Sequence, residues 1–197
     1  MTASDLLAAL VPVVDALDAL GVRYFVGGSV ASSAHGVPRA SIDADLVAEL
    51  AEQHVVPLVT RLRATYYLDE ERVRAAVAAR RSFNLIHLAT MFKVDVFVSK
   101  QRPFDREALS RAGPAPLEDA ADARLFRLAS PEDTILAKLE WFRASGEVSD
   151  RQWTDIVGVL KLSGSRLDGE YLDRWATALG VRDLLVRALA ESTPEKS

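Results

Sequence analysis

The chain has 197 residues, a net charge of −4 and 49% apolar residues, which suits one compact domain or a core with a small appendage. It contains no cysteine, which excludes a disulfide framework, a thiolate zinc site and a cysteine nucleophile, and which fits a reducing, cytoplasmic location. No apolar stretch approaches the length of a membrane span, and the negative net charge gives no overall attraction to nucleic acid, so we expect no membrane association and RNA binding only through a local basic patch.

The first part of the chain predicts a helix, a strand and a second helix. Leucine and valine recur at helical spacing over residues 6–20, and Gly21 is placed to end this helix. A short apolar strand is predicted at 23–26, and the small residues that follow Gly27-Gly28 predict a helix over 29–35. A helix that starts at a glycine turn directs backbone N–H groups toward an anion such as phosphate.

The next predicted strand, over residues 42–47, carries two acidic residues. Asp43 and Asp45 are two positions apart, so they point to the same side of the strand, with backbones ~6–7 Å apart at a rise of ~3.3 Å per residue. Two such carboxylates can converge on a hard cation such as magnesium, which proteins hold with one or two carboxylates together with substrate phosphates. Because the upstream glycine turn lets a phosphate approach the backbone, this spacing indicates nucleotide chemistry.

The middle of the chain predicts two helices, over residues 50–63 and 69–81, and then a β-hairpin. The hairpin strands are the β-rich runs 83–88 and 92–98. Alternation in the second strand places Phe92, Val94, Val96 and Val98 on one face, with Lys93 and Asp95 on the other.

Asp95 is the unusual residue of this strand. An acidic side chain in an apolar strand is costly to bury without a charge partner. One interpretation places Asp95 with Asp43 and Asp45 as a third metal ligand or a base, and the other places it on an exposed sheet face. The first is favoured because the paired acids need a further ligand or base.

Two arginine-rich stretches are candidates for a local basic patch. Residues 61–81 contain six arginines beside three acids, and residues 100–111 add further basic residues. The alternative is a solvated helix face with internal ion pairs, which is the usual behaviour of mixed charge runs.

The sequence Gly113-Pro114-Ala115-Pro116 is the strongest break in the chain. We therefore predict a core domain over residues 1–113, a C-terminal strand with a helical bundle over 114–192, and a polar tail over 193–197. In the bundle, Ser130 and Ser149 are predicted N-caps of two helices. The predicted strand of this region is 124–128. The predicted helices are 131–142, 150–160, 168–179 and 182–190.

The order of these elements and acids resembles the nucleotidyltransferase superfamily that includes DNA polymerase β-like enzymes. The sequence Val26-Gly27-Gly28-Ser29 is followed after thirteen residues by Asp43-Ala44-Asp45, and Phe92-Lys93-Val94-Asp95 matches a third acidic strand. The segment 38–46 is similar to the AbiEii/AbiGii toxin-type and related minimal nucleotidyltransferases. The helical motifs of that group resemble residues 131–133 with Lys138, and residues 150–151 with Asp155.

This resemblance implies an α+β fold, in which a mixed β-sheet of about four or five strands is flanked by helices and followed by a C-terminal helical bundle. Ala44 is smaller than the branched residue usual between the two acids, and the chain is shorter than many toxin-type members. The shorter length implies a reduced acceptor-binding region.

The resemblance also assigns roles in the site. Asp43 and Asp45 would hold Mg²⁺, or Mn²⁺, against a nucleoside triphosphate (NTP), and Asp95 would complete a second metal site or accept the proton of the attacking hydroxyl. The turn formed by Gly27, Gly28 and Ser29 would contact the phosphates.

The resemblance implicates three further residues, two of which have a second interpretation. Arg39 would bind phosphate or pair with Asp43. Lys138 would offset phosphate charge or be a solvated lysine. Asp155 is assigned to the site by the same resemblance, on a weaker motif match.

The implied activity is the magnesium-dependent transfer of a nucleoside monophosphate from an NTP to a hydroxyl acceptor. The acceptor would be an RNA or tRNA end or a protein, in a toxin–antitoxin or phage-defence system with a cognate antitoxin or other partner protein. A small-molecule drug is the less favoured acceptor. The alternative is a catalytically silent nucleotide-binding or antitoxin-like partner module, which the acidic net charge and the absence of a dominant RNA-binding patch favour.

Overall fold

The computed structural model describes residues 3–36, 43–118, 120 and 122–193. These residues form a mixed β-sheet and α-helices, which confirms the predicted α+β class. The sheet has seven strands, more than the four or five predicted. The strands are β1 (Tyr24–Val26), β2 (Asp43–Ala48), β3 (Tyr66–Tyr67), β4 (Ser82–His87), β5 (Lys93–Val98), β6 (Gly113–Pro116) and β7 (Leu125–Leu128).

The helices follow the sequence predictions closely, and most of their ends differ by only one or two residues. None of those in the described part of the chain is long and apolar enough to cross a membrane. The helices are α1 (Ala3–Ala19), α2 (Gly28–His35), α3 (Glu52–Leu62), α4 (Glu70–Ala79), α5 (Pro103–Arg111), α6 (Pro131–Ala144), α7 (Asp150–Ser163), α8 (Gly169–Ala178) and α9 (Arg182–Ser192), with a 3₁₀ turn at Gly164–Arg166.

The extra strands lie at the two edges of the sheet, whose order is β3-β4-β5-β2-β1-β7-β6. Strand β3 has only two residues, and the sequence predicted a break where β6 forms. Proline cannot donate a hydrogen bond to a sheet, so Pro114 and Pro116 are tolerated because β6 pairs on one side only, with β7.

The strands that carry the predicted acids are neighbours near the middle of the sheet. Strand β2 pairs in parallel with β5, and in antiparallel with β1. Alternate residues of β2 and β5 are fully buried on one face, where α1 packs, as the period-two pattern predicts. The other face carries the acidic residues.

The chain divides into two compact units. The first comprises Met1–Gly27 and Ala40–Leu128 and contains the whole sheet with α1, α3, α4 and α5. The second comprises Gly28–Arg39 and Ala129–Ser197 and contains α2 and α6 to α9. The predicted domain division after residue 113 stays a prediction.

Within the second unit, local capping chemistry determines where the helices begin. The Ser130 hydroxyl accepts a hydrogen bond from the Asp133 N–H at the start of α6, and the Ser149 hydroxyl accepts one from the Gln152 N–H at the start of α7. Both caps were predicted. Helices α6 and α7 pack against each other, and α2 packs against both. Helix α6 buries a stripe of four apolar residues: Ile135, Leu136, Leu139 and Phe142.

Candidate active site

The register between β2 and β5 brings the predicted acids together on one face of the sheet. Asp45 lies opposite Asp95, and Asp43 lies opposite Lys93. On the far side of β5, Asn84 of β4 lies opposite Asp95. One patch of sheet therefore carries three carboxylates, one ammonium group and one amide.

The paired carboxylates of this patch repel each other. Adjacent strands are ~4.8 Å apart, and like charges directly opposite each other destabilise a sheet. The Asp95 side chain is only 18% exposed, and the Asp43 side chain is 31% exposed, so water screens them incompletely. The arrangement therefore favours a cation above this face.

Lys93 supplies a positive charge at this position. Its Nζ lies 2.6 Å from Oδ2 of Asp95 and 3.8 Å from Oδ2 of Asp43. The hydrogen bond to Asp95 is the main cause that raises the pKa of Lys93, partial burial opposes the rise, and the nearby negative charges add to it. The Lys93 side chain is thus an ammonium ion held among the acids.

The carboxylates fit a divalent cation in donor type, but Lys93 competes for them. In the described part of the chain, no three acidic, histidine or cysteine side chains are grouped so as to hold a metal ion. The carboxylate oxygens of Asp43, Asp45 and Asp95 are the hard ligands that Mg²⁺ and Mn²⁺ prefer, and the ammonium of Lys93 already serves as a cation beside two of them. The metal role of the three acids stays a prediction.

The glycine turn is tied to the acidic strand through its first residue. The Gly27 N–H donates a 2.8 Å hydrogen bond to the carbonyl of Asp45. Gly28 has a φ of 54°, in the left-handed region that favours glycine, and it begins α2. Ser29 is buried in the first turn of α2. Helix α2 therefore starts directly at the turn, as predicted, while phosphate binding by these three residues stays a prediction.

Lys138 and Asp155 form a buried ion pair within the second unit. Lys138 Nζ lies 2.8 Å from Asp155 Oδ2, and the two side chains are 11% and 10% exposed. The Ser32 hydroxyl is 3.5 Å from the same carboxylate. Lys138 is therefore not a solvated lysine, and its predicted phosphate role would compete with this ion pair. Arg39 lies outside the described residues.

The two acids that follow Pro131 have structural partners. Glu132 Oε1 accepts a hydrogen bond from the Asp168 N–H at 3.1 Å, and Asp133 Oδ1 accepts one from the Tyr171 hydroxyl at 2.6 Å. Both acids are buried. They connect α6 to the start of α8, so this part of the predicted helical motif contributes to packing in the second unit.

A cleft of about 490 Å³ lies in the first unit and reaches Asp95. Alanine side chains of α4 line it together with polar residues of β4, and an exposed tyrosine and two arginines add further lining. The cleft is large enough to admit part of a substrate beside the acidic patch. The lining residues that matter here are Tyr67, Arg72, Ala75, Ala76, Ala79, Arg81, Ser82, Asn84 and Asp95.

The arginine-rich stretches are partly paired. Arg74 forms ion pairs with Glu70 and Glu52, and Arg102 pairs with Asp105 at 2.8 Å. These contacts agree with the interpretation of a helix face with internal ion pairs.

Sequence reasoning identified the three acids but not their immediate neighbours. Lys93 shares the face of Asp95 two residues earlier, so the alternation already contained this signal. Asn84 joins the patch only through the β4–β5 register, which no local pattern in the sequence determines.

Comparison with known proteins identifies the fold. No protein-family model and no curated protein sequence matches the chain. The chain is similar to the solved structure of an antigenic nucleotidyltransferase-like protein from Paracoccidioides brasiliensis, with 20% identity, a TM-score of 0.53, and coverage of 95% of this chain and 93% of that one.

Two further solved structures are similar. One is the antibiotic-resistance factor ANT(2'')-Ia, with 16% identity, a TM-score of 0.52, and coverage of 98% of this chain and 100% of that one. The other is the lincosamide antibiotic adenylyltransferase LnuA with lincomycin bound, with 14% identity, a TM-score of 0.52, and coverage of 82% and 98%. The fold of this chain is therefore nucleotidyltransferase-like.

Proposed function

We propose that this protein is a metal-dependent nucleotidyltransferase that moves a nucleoside monophosphate from an NTP to a hydroxyl acceptor and releases pyrophosphate. The observation that carries this proposal is the β2–β5 register, which aligns Asp45 with Asp95 and places Asp43 on the same face. The nucleotidyltransferase-like fold supports it, because these acids lie on neighbouring strands of that fold's sheet.

The acids have two kinds of role in this proposal. Asp43 and Asp45 would hold Mg²⁺ or Mn²⁺ together with the triphosphate, and the ion would supply positive charge against the phosphates. Asp95 binds a second ion or accepts the proton of the acceptor hydroxyl. The hydroxyl oxygen bonds to the α-phosphorus, the bond from that phosphorus to the bridging oxygen breaks, and pyrophosphate leaves with the bonding electrons.

The glycine turn is proposed to bind the phosphates. The first-turn amides of a helix attract anions, and the backbone at Gly28 carries no side chain that would keep a phosphate away. In the same proposal Gly27 and Ser29 complete the turn, Arg39 assists with phosphate charge, and Lys138 could assist only by leaving Asp155.

The acceptor is proposed to enter the cleft beside Asp95. A hydroxyl there would meet the carboxylate that takes its proton, while Asn84 and the arginines of the cleft bind polar groups of the acceptor. An RNA or tRNA end or a protein hydroxyl in a toxin–antitoxin or phage-defence system is the proposed acceptor class. A small hydroxylated molecule is the second class, because two similar structures are described as an antibiotic-resistance factor and an antibiotic adenylyltransferase.

Transfer of label from α-³²P NTPs tests the proposal. The purified protein is incubated with Mg²⁺ and, separately, with total RNA, a protein extract and a panel of hydroxylated small molecules. We expect transfer by the wild type, and a loss of about 10²–10³-fold in Asp43→Asn and in Asp45→Asn. Asp15→Asn is the matched control, because Asp15 is an exposed acid of the same unit that pairs with Arg124. Transfer by both site variants at the wild-type rate would contradict the proposal.

A second candidate function is a catalytically silent nucleotide-binding or antitoxin-like module. The position of Lys93 among the acids favours it, since an ammonium group already neutralises the patch. Calorimetry separates the two functions. Nucleotide binding that needs no divalent cation, or tight binding to a partner protein, would indicate the silent module if metal-dependent transfer is also absent.

A further inference from the structure

We propose that Lys93 is a resident counter-ion that occupies a cation position beside Asp43 and Asp95 in the nucleotide-free protein, and that it leaves this position when a metal ion and a triphosphate bind. The inference rests on the proposed function, because it concerns the same acids. It adds that a side chain of this protein determines how tightly the metal ion binds.

The ammonium group of Lys93 lies close to carboxylates on two neighbouring strands. Nζ of Lys93 contacts the carboxylate oxygen of Asp95 at 2.6 Å and lies 3.8 Å from that of Asp43, so the lysine bridges acids of two strands. A metal ion shared by the same two carboxylates would need this space. Lysine offers a compact charge but cannot coordinate as a metal does, so it holds the acids without supplying metal chemistry.

The side chains of Lys93 and Asp95 differ in their exposure to solvent. The Lys93 side chain is 42% exposed, whereas that of Asp95 is 18% exposed. A four-carbon stem with an exposed end can rotate toward solvent, while the carboxylate stays on the sheet. Lys93 is therefore the partner that can move.

The charges of the acids, Lys93, the metal ion and the triphosphate determine which of them can be bound at the same time. The carboxylates of Asp45 and Asp95 lie opposite each other and repel, and Lys93 places a positive charge against Asp95 when no metal is bound. An ammonium group and a divalent ion within a few ångströms repel strongly, so both cannot remain against the same acids. A triphosphate brings negative charge that can pair with the displaced ammonium. Metal and nucleotide should therefore bind cooperatively, and metal alone should bind weakly.

Direct Mn²⁺ binding tests the inference without a measurement of activity. Free Mn²⁺ is followed by electron paramagnetic resonance, with and without a non-hydrolysable triphosphate analogue. In the absence of nucleotide, we expect Lys93→Met to bind Mn²⁺ about tenfold more tightly than the wild type. Lys100→Met is the matched control and should bind as the wild type does, because Lys100 is an exposed lysine just after the same strand.

Two further measurements of Mn²⁺ affinity show whether the effect depends on the positive charge of Lys93. The nucleotide analogue should increase Mn²⁺ affinity less in Lys93→Met than in the wild type, since the variant has no ammonium to displace. Lys93→Arg keeps the positive charge and should bind Mn²⁺ as weakly as the wild type. Thermal unfolding confirms that each variant is folded, and Lys93→Gln replaces Lys93→Met if the latter does not fold.

The outcomes separate this inference from the proposed function. Equal Mn²⁺ affinity of the wild type and the neutral variant, with nucleotide present or absent, would overturn the role of Lys93 and leave the transferase proposal in place. Absence of Mn²⁺ binding in every protein, even with the nucleotide analogue, would overturn both.

Discussion

At the scale of single residues, the two lysines near acids are in different environments. Lys93 is partly exposed and able to leave its partners, whereas Lys138 and Asp155 are both about nine-tenths buried and bonded at 2.8 Å. A buried charge that loses its partner is costly, because water cannot replace the lost contact. We therefore expect Lys93 to affect the binding of the metal ion and the nucleotide, and Lys138 to contribute to the stability of the second unit.

Lys138→Met should lower the free energy of unfolding by about 3 kcal/mol, because it leaves the Asp155 carboxylate buried without its ammonium partner. Urea unfolding measures the change. Lys161→Met, at an exposed position of α7, is the control and should stay within about 0.5 kcal/mol of the wild type. A stable Lys138→Met variant with weakened nucleotide binding would instead support the phosphate role suggested by the sequence resemblance.

Asp95→Asn should reduce the rate of transfer by about 10²–10⁴-fold if Asp95 accepts the acceptor proton. Steady-state kinetics measures this, and the loss should fall on kcat more than on the KM for the nucleotide. Asp69→Asn, at the N-cap of α4 on the rim of the same cleft, controls for loss of an acid near the acceptor. A kcat of Asp95→Asn equal to that of the wild type would contradict the role as base.

At the scale of elements, the packing of α2 against α7 depends on Gly36. A Cβ at this position would lie 2.7 Å from the backbone oxygen of Ser32 and 3.3 Å from the backbone nitrogen of Val159. The Ser32 oxygen belongs to α2 itself, so that contact would distort the end of this helix, whereas the Val159 nitrogen belongs to α7, which would have to shift by a few tenths of an ångström. The small residue just after α2 therefore determines how closely these helices approach.

Gly36→Ala should lower the free energy of unfolding by about 2 kcal/mol, the usual cost of overpacking. Thermal or urea unfolding measures it. Gly169→Ala is the matched control in the same unit, because a Cβ there meets nothing within 4 Å, and we expect it to be neutral or slightly stabilising. If both variants unfold like the wild type, the close approach of α2 and α7 is not a constraint.

The elements also show which features the sequence can predict. The caps Ser130 and Ser149 and the two-sided pattern of β5 were predicted correctly because they depend on neighbours within a few residues. Strand β6 was read as a break, since its glycine and prolines disfavour strands and only pairing with β7 makes it one. The Lys93 contact to Asp43 escaped prediction because it depends on the register between strands that are distant in sequence.

At the scale of the whole molecule, the net charge of −4 and the acidic patch make binding of a triphosphate unfavourable without added cations. Lys93 neutralises part of the patch, but a divalent ion is needed for a ligand with several negative charges. We therefore expect nucleotide affinity to depend strongly on the metal, whichever acceptor is used.

Mg²⁺ together with an NTP analogue at 100 times its dissociation constant should stabilise the folded protein by about 2.7 kcal/mol. Thermal unfolding should show a corresponding rise of about 5–11 °C in Tm, since 1 kcal/mol shifts Tm by about 2–4 °C in a chain of this size. The analogue with a chelator, or the double variant Asp43→Asn/Asp45→Asn with Mg²⁺, should give no such rise. An equal rise with chelator would show that nucleotide binding does not depend on the metal ion, and an equal rise in the double variant would show that it does not involve these acids.

The transferase proposal requires that the face of the sheet formed by Asp43, Asp45 and Asp95 binds a divalent ion together with a triphosphate. A crystal structure with Mn²⁺ and a non-hydrolysable NTP, analysed by its anomalous signal, measures this directly. We predict a manganese peak within about 2.5 Å of carboxylate oxygens of both Asp43 and Asp45, with Nζ of Lys93 moved away from Asp95 toward the phosphates. A nucleotide bound without manganese at these acids, with Lys93 still paired to Asp95, would contradict it.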